Sequence, residues 1–337
     1  MPNIGIVDAP AATPGTLPVR WRGDYRQAVL VLGTAQLGGS YGPAQADVTG
    51  TDATVGLLRA ATSLGLTHID TARAYGFSET RLGAAFRHLT PSPLNLVTKV
   101  APLAEVMASE QFAALDPAAA ATAAVEASVA RSIAELGTHQ RLTLLLHRSG
   151  DAQLAGGAAW QRLRGYLHDG TAHRIGVTVQ HPGDLWTALE LPDLGYLQVP
   201  CNILDHRWRD LRISGALMAR PDLVITARSV FLQGLLAAGR AVRWPKLHDD
   251  DRDQIVQLLD KMAEELGRTG RDDLCLAYLL SMPWLTSVVV GAETGDQLRQ
   301  HASLAVRDPL TLTERDWVTS HLPKVPEELL DPLRWRS

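Results

Sequence analysis

A repeated alternation between short β-rich runs and longer helical segments constrains the fold of this chain more than any other feature. It starts near residue 28, and eight strand candidates follow one another along the sequence. They cover residues 28–35, 66–71, 94–100, 141–147, 173–179, 195–202, 222–229 and 285–291. Eight strands in β–α order favour a closed parallel barrel over an open sheet. We therefore predict an α/β protein with a (β/α)8 TIM barrel.

An open, doubly wound sheet is the weaker alternative. A dinucleotide-binding sheet of that kind needs a G-x-G-x-x-G turn after its first strand, whereas GTAQLGG (33–39) follows the first strand here. The 337 residues suffice for two ordinary domains or for one barrel of about 250 residues or more. Since no internal linker interrupts the alternation, we predict a flexible leader over residues 1–27 and a single barrel domain over residues 28–337. A long loop at 229–251 and the C-terminal tail are expected to shape a pocket.

The composition describes a globular protein that has no large charged surface. Hydrophobic residues make up 46% and charged residues 20%, which is typical of a soluble domain with a substantial core. A net charge of −4, with both signs interspersed, gives no reason to expect nucleic-acid binding. No apolar run approaches the roughly 20 residues that span a bilayer, and the N-terminus lacks the pattern of a secretory signal. We expect a small-molecule partner, no membrane and no nucleic acid, in a monomer or small homo-oligomer.

The only two cysteines, Cys201 and Cys275, lie in apolar segments. They are predicted to be buried free thiols rather than a disulfide or a metal site, which suits a reducing compartment. A cytoplasmic location is the expectation that follows.

Polar residues stand at the ends of three successive predicted strands. In THIDTARAYGFSETRLG (67–83), Asp70 ends the second strand and Tyr75 follows five residues later. Lys99 ends the third strand and His147 the fourth, each after an apolar run. Catalytic groups of a parallel barrel lie at this end of its strands. Since a buried lysine is costly without a carboxylate partner, Asp70 on the adjacent strand is the expected partner of Lys99.

Together these side chains would form a proton donor and acceptor. A free tyrosine has a pKa of about 10, and a neighbouring ammonium favours its phenolate form. A histidine can hydrogen-bond an oxygen that approaches the phenol. The group suits a carbonyl or an alcohol, and the reaction then needs a hydride carrier.

Each residue also has an ordinary structural interpretation. Asp70 could cap the turn that follows it, Tyr75 could fill space, Lys99 could extend to solvent, and His147 could be a core histidine. Their joint occurrence at successive strand ends favours a catalytic site over four independent structural roles.

The motifs resemble those of the aldo-keto reductase superfamily from about residue 28 to residue 305. HIDTARAYGFSETRLG is similar to the family segment DTA-x-x-YG-x-SE-x-x-LG, LVTKV to its lysine strand, and LLLHR to the strand that ends in its active-site histidine. The resemblance places Asp70, Tyr75, Lys99 and His147 at the family's four catalytic positions. It implies a barrel that binds NADPH, or less often NADH, without a Rossmann domain. The implied reaction is reversible reduction of an aldehyde or ketone to an alcohol.

The resemblance also supplies candidate cofactor-binding positions. They are Thr34, Thr178, Gln198, Arg228, Ser229, Phe231, Gly234, Gly291, Ala292, Glu293, Gln297 and His301. Arg228 stands where most members keep an aromatic ring, although a planar guanidinium can also stack. Glu293 stands where many NADPH-using members carry a basic or small polar residue, and its carboxylate would repel a 2′-phosphate. NADPH is the expected cofactor, with NADH as the alternative and Arg299 as a compensating charge.

Two other functions fit the same resemblance. One is a cofactor-binding regulatory subunit without turnover, and the other is an epimerase or dehydratase-like enzyme that recycles its cofactor. The substrate is open, with a sugar or sugar-like metabolite among the alternatives. Trp208, Trp317 and Trp335, together with residues 38–46, are the expected pocket walls.

Overall fold

The computed structural model describes residues 16–39, 50–89, 94–137 and 142–335. Most of the loop at residues 38–46, expected to line the pocket, therefore lies outside the described residues. The strands are β1 (Val19–Arg22), β2 (Tyr25–Ala28), β3 (Leu30–Gly33), β4 (His68–Asp70), β5 (Asn95–Val100), β6 (Leu142–Leu146), β7 (Ala172–Thr178), β8 (Tyr196–Pro200), β9 (Val224–Arg228) and β10 (Ser287–Gly291).

Strands β3 to β10 form a closed barrel. The order around it is β10-β3-β4-β5-β6-β7-β8-β9, and the paired strands are parallel. The register sets Gly33 beside Asp70 and Lys99 beside Leu145, so the carboxyl ends of these strands meet at one rim. The predicted (β/α)8 barrel is confirmed, and every predicted strand overlaps one of these strands.

Helices lie between the barrel strands and after the last one. They are α1 (Thr51–Ser63), α2 (Ser78–Phe86), α3 (Leu103–Met107), α4 (Pro117–Leu136), α5 (Leu154–His168), α6 (Leu185–Leu189), α7 (Leu211–Met218), α8 (Leu235–Ala238), α9 (Asp249–Glu265), α10 (Arg271–Leu280), α11 (Gly295–Ala305), α12 (Leu312–His321) and α13 (Glu327–Leu330). Among the described helices, none has the length and apolar character needed to cross a membrane.

Helix α4 shows how the sequence fixes the ends of an element. The Asp116 side chain accepts hydrogen bonds from the amides of Ala118 and Ala119 at 3.0 and 3.1 Å, and Pro117 occupies the first helical position. Gly137, with φ +60°, ends the helix in the left-handed conformation that glycine adopts without a steric penalty. The buried face of α4 is rich in alanine, whose small side chain allows close packing against neighbouring elements.

A hairpin of β1 and β2 precedes the barrel. Its antiparallel register runs from Val19 opposite Ala28 to Arg22 opposite Tyr25, and Gly23 takes a positive φ of 59° in the turn. The sequence predicted a flexible leader over residues 1–27, and this prediction is wrong for residues 19–27. Residues 1–15 of that leader lie outside the described part of the chain.

Long-range hydrogen bonds hold the hairpin in place, which explains why local sequence did not predict it. Arg20 donates to the carbonyls of Leu280 and Leu285 at 2.5 and 2.6 Å. Arg22 donates to the carbonyl of Trp284 at 2.9 Å. These partners come just before the last barrel strand, more than 250 residues later in the chain.

Side chains from the hairpin enter the end of the barrel opposite the rim formed by the carboxyl ends of the strands. The hydroxyl of Tyr25 lies 2.6 Å from His68 Nε2 and 3.2 Å from His173 Nε2. Gln27 is fully buried, and its amide donates to Ser287 at 2.5 Å. Buried polar groups are tolerated when they are hydrogen-bonded, so the hairpin both covers this end and supplies partners to the polar groups beneath it.

We expect Tyr25→Phe to lower the free energy of unfolding by about 1–3 kcal/mol, because His68 and His173 would each lose a partly buried hydrogen-bond partner. Urea denaturation followed by circular dichroism measures this. Arg26→Gln is the control, since Arg26 is an exposed residue of the same strand, and its effect should stay within about 0.5 kcal/mol. Equal stability of Tyr25→Phe and wild type would refute the structural role of the hydroxyl.

Candidate active site

A buried ion pair lies at the rim formed by the carboxyl ends of the strands, the catalytic rim, which carries the four predicted catalytic residues. Lys99 Nζ lies 2.6 Å from Asp70 Oδ1 and donates to the carbonyl of Thr71 at 3.0 Å, and the lysine is only 1% exposed. The second oxygen of Asp70 accepts from Gln198 Nε2 at 2.8 Å. Burial lowers the pKa of Lys99, but Asp70 and Tyr75 outweigh it and hold that pKa above its ordinary value. The structure thus contains the expected pairing of Asp70 with Lys99, and both oxygens of the Asp70 carboxylate have partners.

Tyr75 lies next to this pair. Its hydroxyl is 3.4 Å from Lys99 Nζ, which in turn lies 4.9 Å from the centre of the phenol ring. The ring of His147 meets the Tyr75 ring edge to face, with centroids 6.1 Å apart. The structure therefore brings all four predicted catalytic residues together.

Two glycines let the loop that carries Tyr75 approach the first barrel loop. A Cβ on Gly38 would overlap the carbonyl of Tyr75, and a Cβ on Gly76 would overlap the carbonyl of Gly38. The amide of Phe77 donates to the carbonyl of Gly38 at 3.2 Å across this contact. Gly76 also has φ +51°, which favours glycine. The backbone around Tyr75 is therefore fixed by close packing.

A buried carboxylate supports the same loop from behind. Glu79, 1% exposed, forms an ion pair with Arg73 and accepts from Thr98 Oγ1 at 2.6 Å. Arg73 also pairs with Glu135 at 2.9 Å. Since Thr98 directly precedes Lys99, Glu79 links the tyrosine loop to the lysine strand.

The electrostatic surroundings of His147 favour its neutral form. Burial, and after it the cations Lys99, Arg228 and Arg148, lower the pKa of His147 to about 3. Its Nδ1 is buried and forms no hydrogen bond with a described residue. His147 is thus an uncharged imidazole beside the Tyr75 phenol at neutral pH.

A cavity of about 780 Å³ opens at this rim. All the predicted catalytic and cofactor-binding residues line it. Thr34 does so with its hydroxyl already engaged, donating to the carbonyl of Asp70 at 2.9 Å and accepting from Ser78 at 2.8 Å. The structure therefore places the whole predicted set on one surface, while the roles of its members remain predictions.

Two buried polar atoms beside the ion pair lack partners. Thr178 Oγ1 and Gln198 Oε1 form no hydrogen bond with a described residue, although both side chains are at most 1% exposed. An unpartnered buried polar atom costs about 1–3 kcal/mol. A ligand amide with both a donor and an acceptor would satisfy them. This local chemistry fits the carboxamide of a nicotinamide ring.

The segment after β9 has an unusual backbone. Ser229, Leu232, Gln233 and Gly234 all have positive φ, between 48° and 91°. Arg228 donates to the side chain of Gln180, and both residues line the cavity. The amides of Leu232 and Gly234 donate to the carbonyls of Ser229 and Phe231, both at 2.9 Å. The segment is therefore held as a tight turn along the cavity wall by its own backbone hydrogen bonds.

The far end of the cavity is formed by the start of α11 and its surroundings. Gln297 Oε1 accepts from the amides of Glu293 and Thr294 at 2.7 and 3.2 Å, in a capping box. His301 stacks on Phe231 with ring centroids 5.2 Å apart. These contacts order the loop around Glu293.

Sequence reasoning missed several lining residues. They are Gln36, Glu105, Arg148, Gln180, Asp272, Gln300 and Asp331. Arg148 directly follows His147, and that adjacency was the available signal. Asp272 lies in the first turn of α10, far from any motif, so no local sequence feature indicated it.

The tryptophans are not where the sequence suggested. Trp208 is 1% exposed in the core, and Trp317 lines a separate small depression beside α9. Trp335 donates to the carbonyl of Leu329, and none of the three is among the cavity-lining residues. The prediction that these three tryptophans line the pocket is therefore wrong. The C-terminal tail does reach the cavity, through Asp331 and Pro332. Cys201 and Cys275 are buried free thiols, as predicted.

Comparison with known proteins bears on both fold and chemistry. Residues 29–321 match the family model described as the Aldo/keto reductase family. A search of curated proteins gave no match.

Solved structures of similar fold carry the same description. An aldo-keto reductase from Bacillus halodurans, AKR11C1 in its holo form, is 19% identical with a TM-score of 0.73, covering 92% of this chain and 97% of that chain. A putative aldo-keto reductase from Pseudomonas aeruginosa is 20% identical with a TM-score of 0.62, covering 87% of this chain and 96% of that chain. At these identities the structural likeness concerns the fold.

We expect Glu79→Gln to reduce the free energy of unfolding by about 3 kcal/mol, because Arg73 would lose the buried one of its two carboxylate partners. Turnover should fall as well, since Glu79 supports the Tyr75 loop. Urea denaturation and steady-state kinetics measure the two effects. Glu126→Gln is the matched control, because Glu126 pairs with Arg162 at a half-exposed surface site and should cost at most about 1 kcal/mol. Equal losses in both variants would contradict the buried role of Glu79.

The His147 imidazole should stay neutral down to about pH 4, since its pKa in the folded protein is about 3. The folded pKa lies below the unfolded value of about 6.5, so His147 contributes stability above pH 6.5 that is lost as the pH falls toward 3. Nitrogen chemical shifts in an NMR titration, assigned with His147→Gln, report the charge directly. Protonation of His147 near pH 6.5 would show that the cavity is more hydrated than its structure implies.

Proposed function

Because the chain belongs to the aldo/keto reductase family, we propose that it is an NAD(P)H-dependent enzyme that reversibly reduces an aldehyde or ketone to an alcohol, with Tyr75 exchanging the proton. The family membership makes it an oxidoreductase of carbonyl compounds. The observation that carries the finer assignment is the position of Lys99, 2.6 Å from Asp70 and 3.4 Å from the Tyr75 hydroxyl.

In the proposed mechanism, Tyr75 gives a proton to the carbonyl oxygen during reduction and takes it from the alcohol during oxidation. The Lys99 ammonium stabilises the negative charge that develops on the phenolic oxygen. Asp70 keeps Lys99 charged and in place, and Gln198 holds the other Asp70 oxygen. The positive charge of the Lys99 ammonium is thereby fixed beside the Tyr75 hydroxyl.

His147 has a different part in the proposal. Its lowered pKa makes it a poor proton reservoir at neutral pH, so it would not compete with Tyr75 for the transferred proton. A neutral imidazole can still donate one hydrogen bond. We assign His147 the orientation of the substrate oxygen toward the Tyr75 hydroxyl.

The residues of the cavity fit a nicotinamide dinucleotide. Thr178 and Gln198 would satisfy their unpartnered oxygens on the carboxamide, and Arg228 would lie against the ring. Ser229, Phe231 and Gly234 would border the diphosphate, and Gly291, Ala292, Glu293, Gln297 and His301 the adenosine. When bound, the cofactor supplies or accepts the hydride at its nicotinamide carbon. The resemblance implies NADPH, or less often NADH, as this cofactor.

Residues at the mouth of the cavity support a polar substrate. Glu105 and Arg148, paired at 2.7 Å, lie there together with Asp331 on the lining. These groups favour a polar aldehyde or ketone, a class that includes sugars and sugar-like metabolites. The free thiols of Cys201 and Cys275 suit a reducing compartment, and we propose the cytoplasm.

Tyr75→Phe tests the mechanism. Loss of the proton donor should reduce kcat by about 10²–10⁴-fold and leave the dissociation constant of the cofactor nearly unchanged. Tyr166→Phe is the matched control, because Tyr166 lies on α5 away from the cavity, and its activity should equal that of wild type. A Tyr75→Phe protein with full turnover would sink the assignment.

The same assay separates the alternative functions. A regulatory subunit would bind cofactor but turn over no carbonyl compound in a broad panel. An epimerase or dehydratase-like enzyme would convert substrate without net oxidation of added cofactor. Consumption of one reduced cofactor per alcohol formed supports the simple reductase.

A further inference from the structure

Positively charged side chains line only one end of the described cavity, where two of them are paired with carboxylates. The basic residues of its described lining are Lys99, Arg148 and Arg228, and each acts on the His147 imidazole. They therefore cluster at the catalytic end. At the other end the lining contains the carboxylates Asp272 and Glu293.

The orientation of a bound dinucleotide follows from the positions of the unpartnered atoms. Gln198 contacts Asp70 directly, so its free oxygen and that of Thr178 belong to the catalytic end. The nicotinamide ring must lie there for its hydride to reach a carbonyl held by Tyr75. An extended dinucleotide then carries its adenosine ribose to the end lined by Asp272 and Glu293.

The arginines closest in sequence to these two carboxylates are engaged with other groups. Arg299, which the sequence suggested as a compensating charge, pairs with Asp296 at 2.7 Å and does not line the cavity. Arg271 pairs with Asp260 at 2.7 Å and donates to the carbonyls of Leu236 and Ala237 at 3.0 Å. Both guanidinium groups are thus held by other partners.

The two carboxylates differ in how they are held. Asp272 accepts from the amide of Asp273 and from Gln300 Nε2, both at 3.0 Å, which fixes its side chain. Glu293 is positioned through its own amide, which donates to Gln297. Its carboxylate forms no hydrogen bond or ion pair with another described residue. Glu293 therefore has free acceptor capacity toward a ligand.

From this arrangement we propose that Asp272 and Glu293 make the protein selective for NADH over NADPH, a proposal that rests on the proposed function. A ribose 2′-hydroxyl can donate a hydrogen bond to a carboxylate, as in NAD-binding sites of other folds. A 2′-phosphate cannot donate in its dianionic form and brings about two negative charges near neutral pH. Like charges at short range disfavour binding of the wrong ligand. Glu293 accepts the ribose hydroxyl, and Asp272 adds to the repulsion.

Equilibrium binding tests the proposal without any catalytic readout. Tryptophan fluorescence of the wild-type protein is titrated with NADH and with NADPH, and calorimetry repeats the comparison with ADP-ribose and 2′-phospho-ADP-ribose. We expect the ligands without the 2′-phosphate to bind at least about tenfold more tightly. The difference should shrink at high salt, because charge repulsion is screened.

Single variants assign the effect to residues. Glu293→Gln and Asp272→Asn should each tighten NADPH binding by about threefold to tenfold, with no gain for NADH. Glu264→Gln, which removes an exposed carboxylate of α9 outside the cavity lining, is the control and should change neither affinity. Circular dichroism verifies that each variant is folded.

The outcomes separate this proposal from the proposed function. Equal or tighter binding of NADPH by the wild type would overturn the selectivity and leave the reductase assignment intact. Tight NADH binding that the two variants leave unchanged, with NADPH still excluded, would overturn the roles of Asp272 and Glu293. Binding of neither cofactor by folded protein would overturn the proposed function itself.

Discussion

The buried pair of Lys99 and Asp70 is the interaction on which the catalytic rim depends. Removing two charges from water costs several kcal/mol per ion, and only close geometry with further hydrogen bonds offsets that cost. The register of β4 against β5 brings the two residues to neighbouring strand ends, while Thr71 and Gln198 complete the partners of the pair. The barrel therefore provides a charge whose position is set by strand pairing, and the Tyr75 loop is packed against it.

A feature of the fold or of the site could be predicted from the sequence when residues within one short segment determine it. The eight barrel strands were predictable, and so was the grouping of Asp70, Tyr75, Lys99 and His147, because strand periodicity and short motifs encode them within local segments. The hairpin was missed because its short strands are held by Arg20 and Arg22 bonding to residues far along the chain. Asp272 was missed for the same reason, since only the folded barrel brings the start of α10 to the cavity. Trp208 was misassigned because aromatic composition does not distinguish a core from a pocket wall.

The two ends of the cavity are built from different kinds of structural element. Its catalytic end is built from strand ends, where side-chain directions are fixed by the barrel. Its far end is built from helix starts and a loop with positive φ, where backbone amides and capping side chains decide the shape. The proposed catalytic residues and the proposed selectivity residues thus lie on different structural elements, so substitutions at the far end are not expected to move Tyr75 or Lys99.

The hairpin has a consequence for how the chain reaches its native state. Arg20 and Gln27, near the beginning of the described chain, find their partners at Leu280 and Ser287, close to its end. During synthesis, which proceeds from the N-terminus, these partners do not yet exist when the hairpin leaves the ribosome. Contacts between residues so far apart in the sequence form late, because the entropy cost of closing the long loop arises before the contacts can stabilise it. The end of the barrel opposite the catalytic rim is therefore sealed only after the last strand has been made.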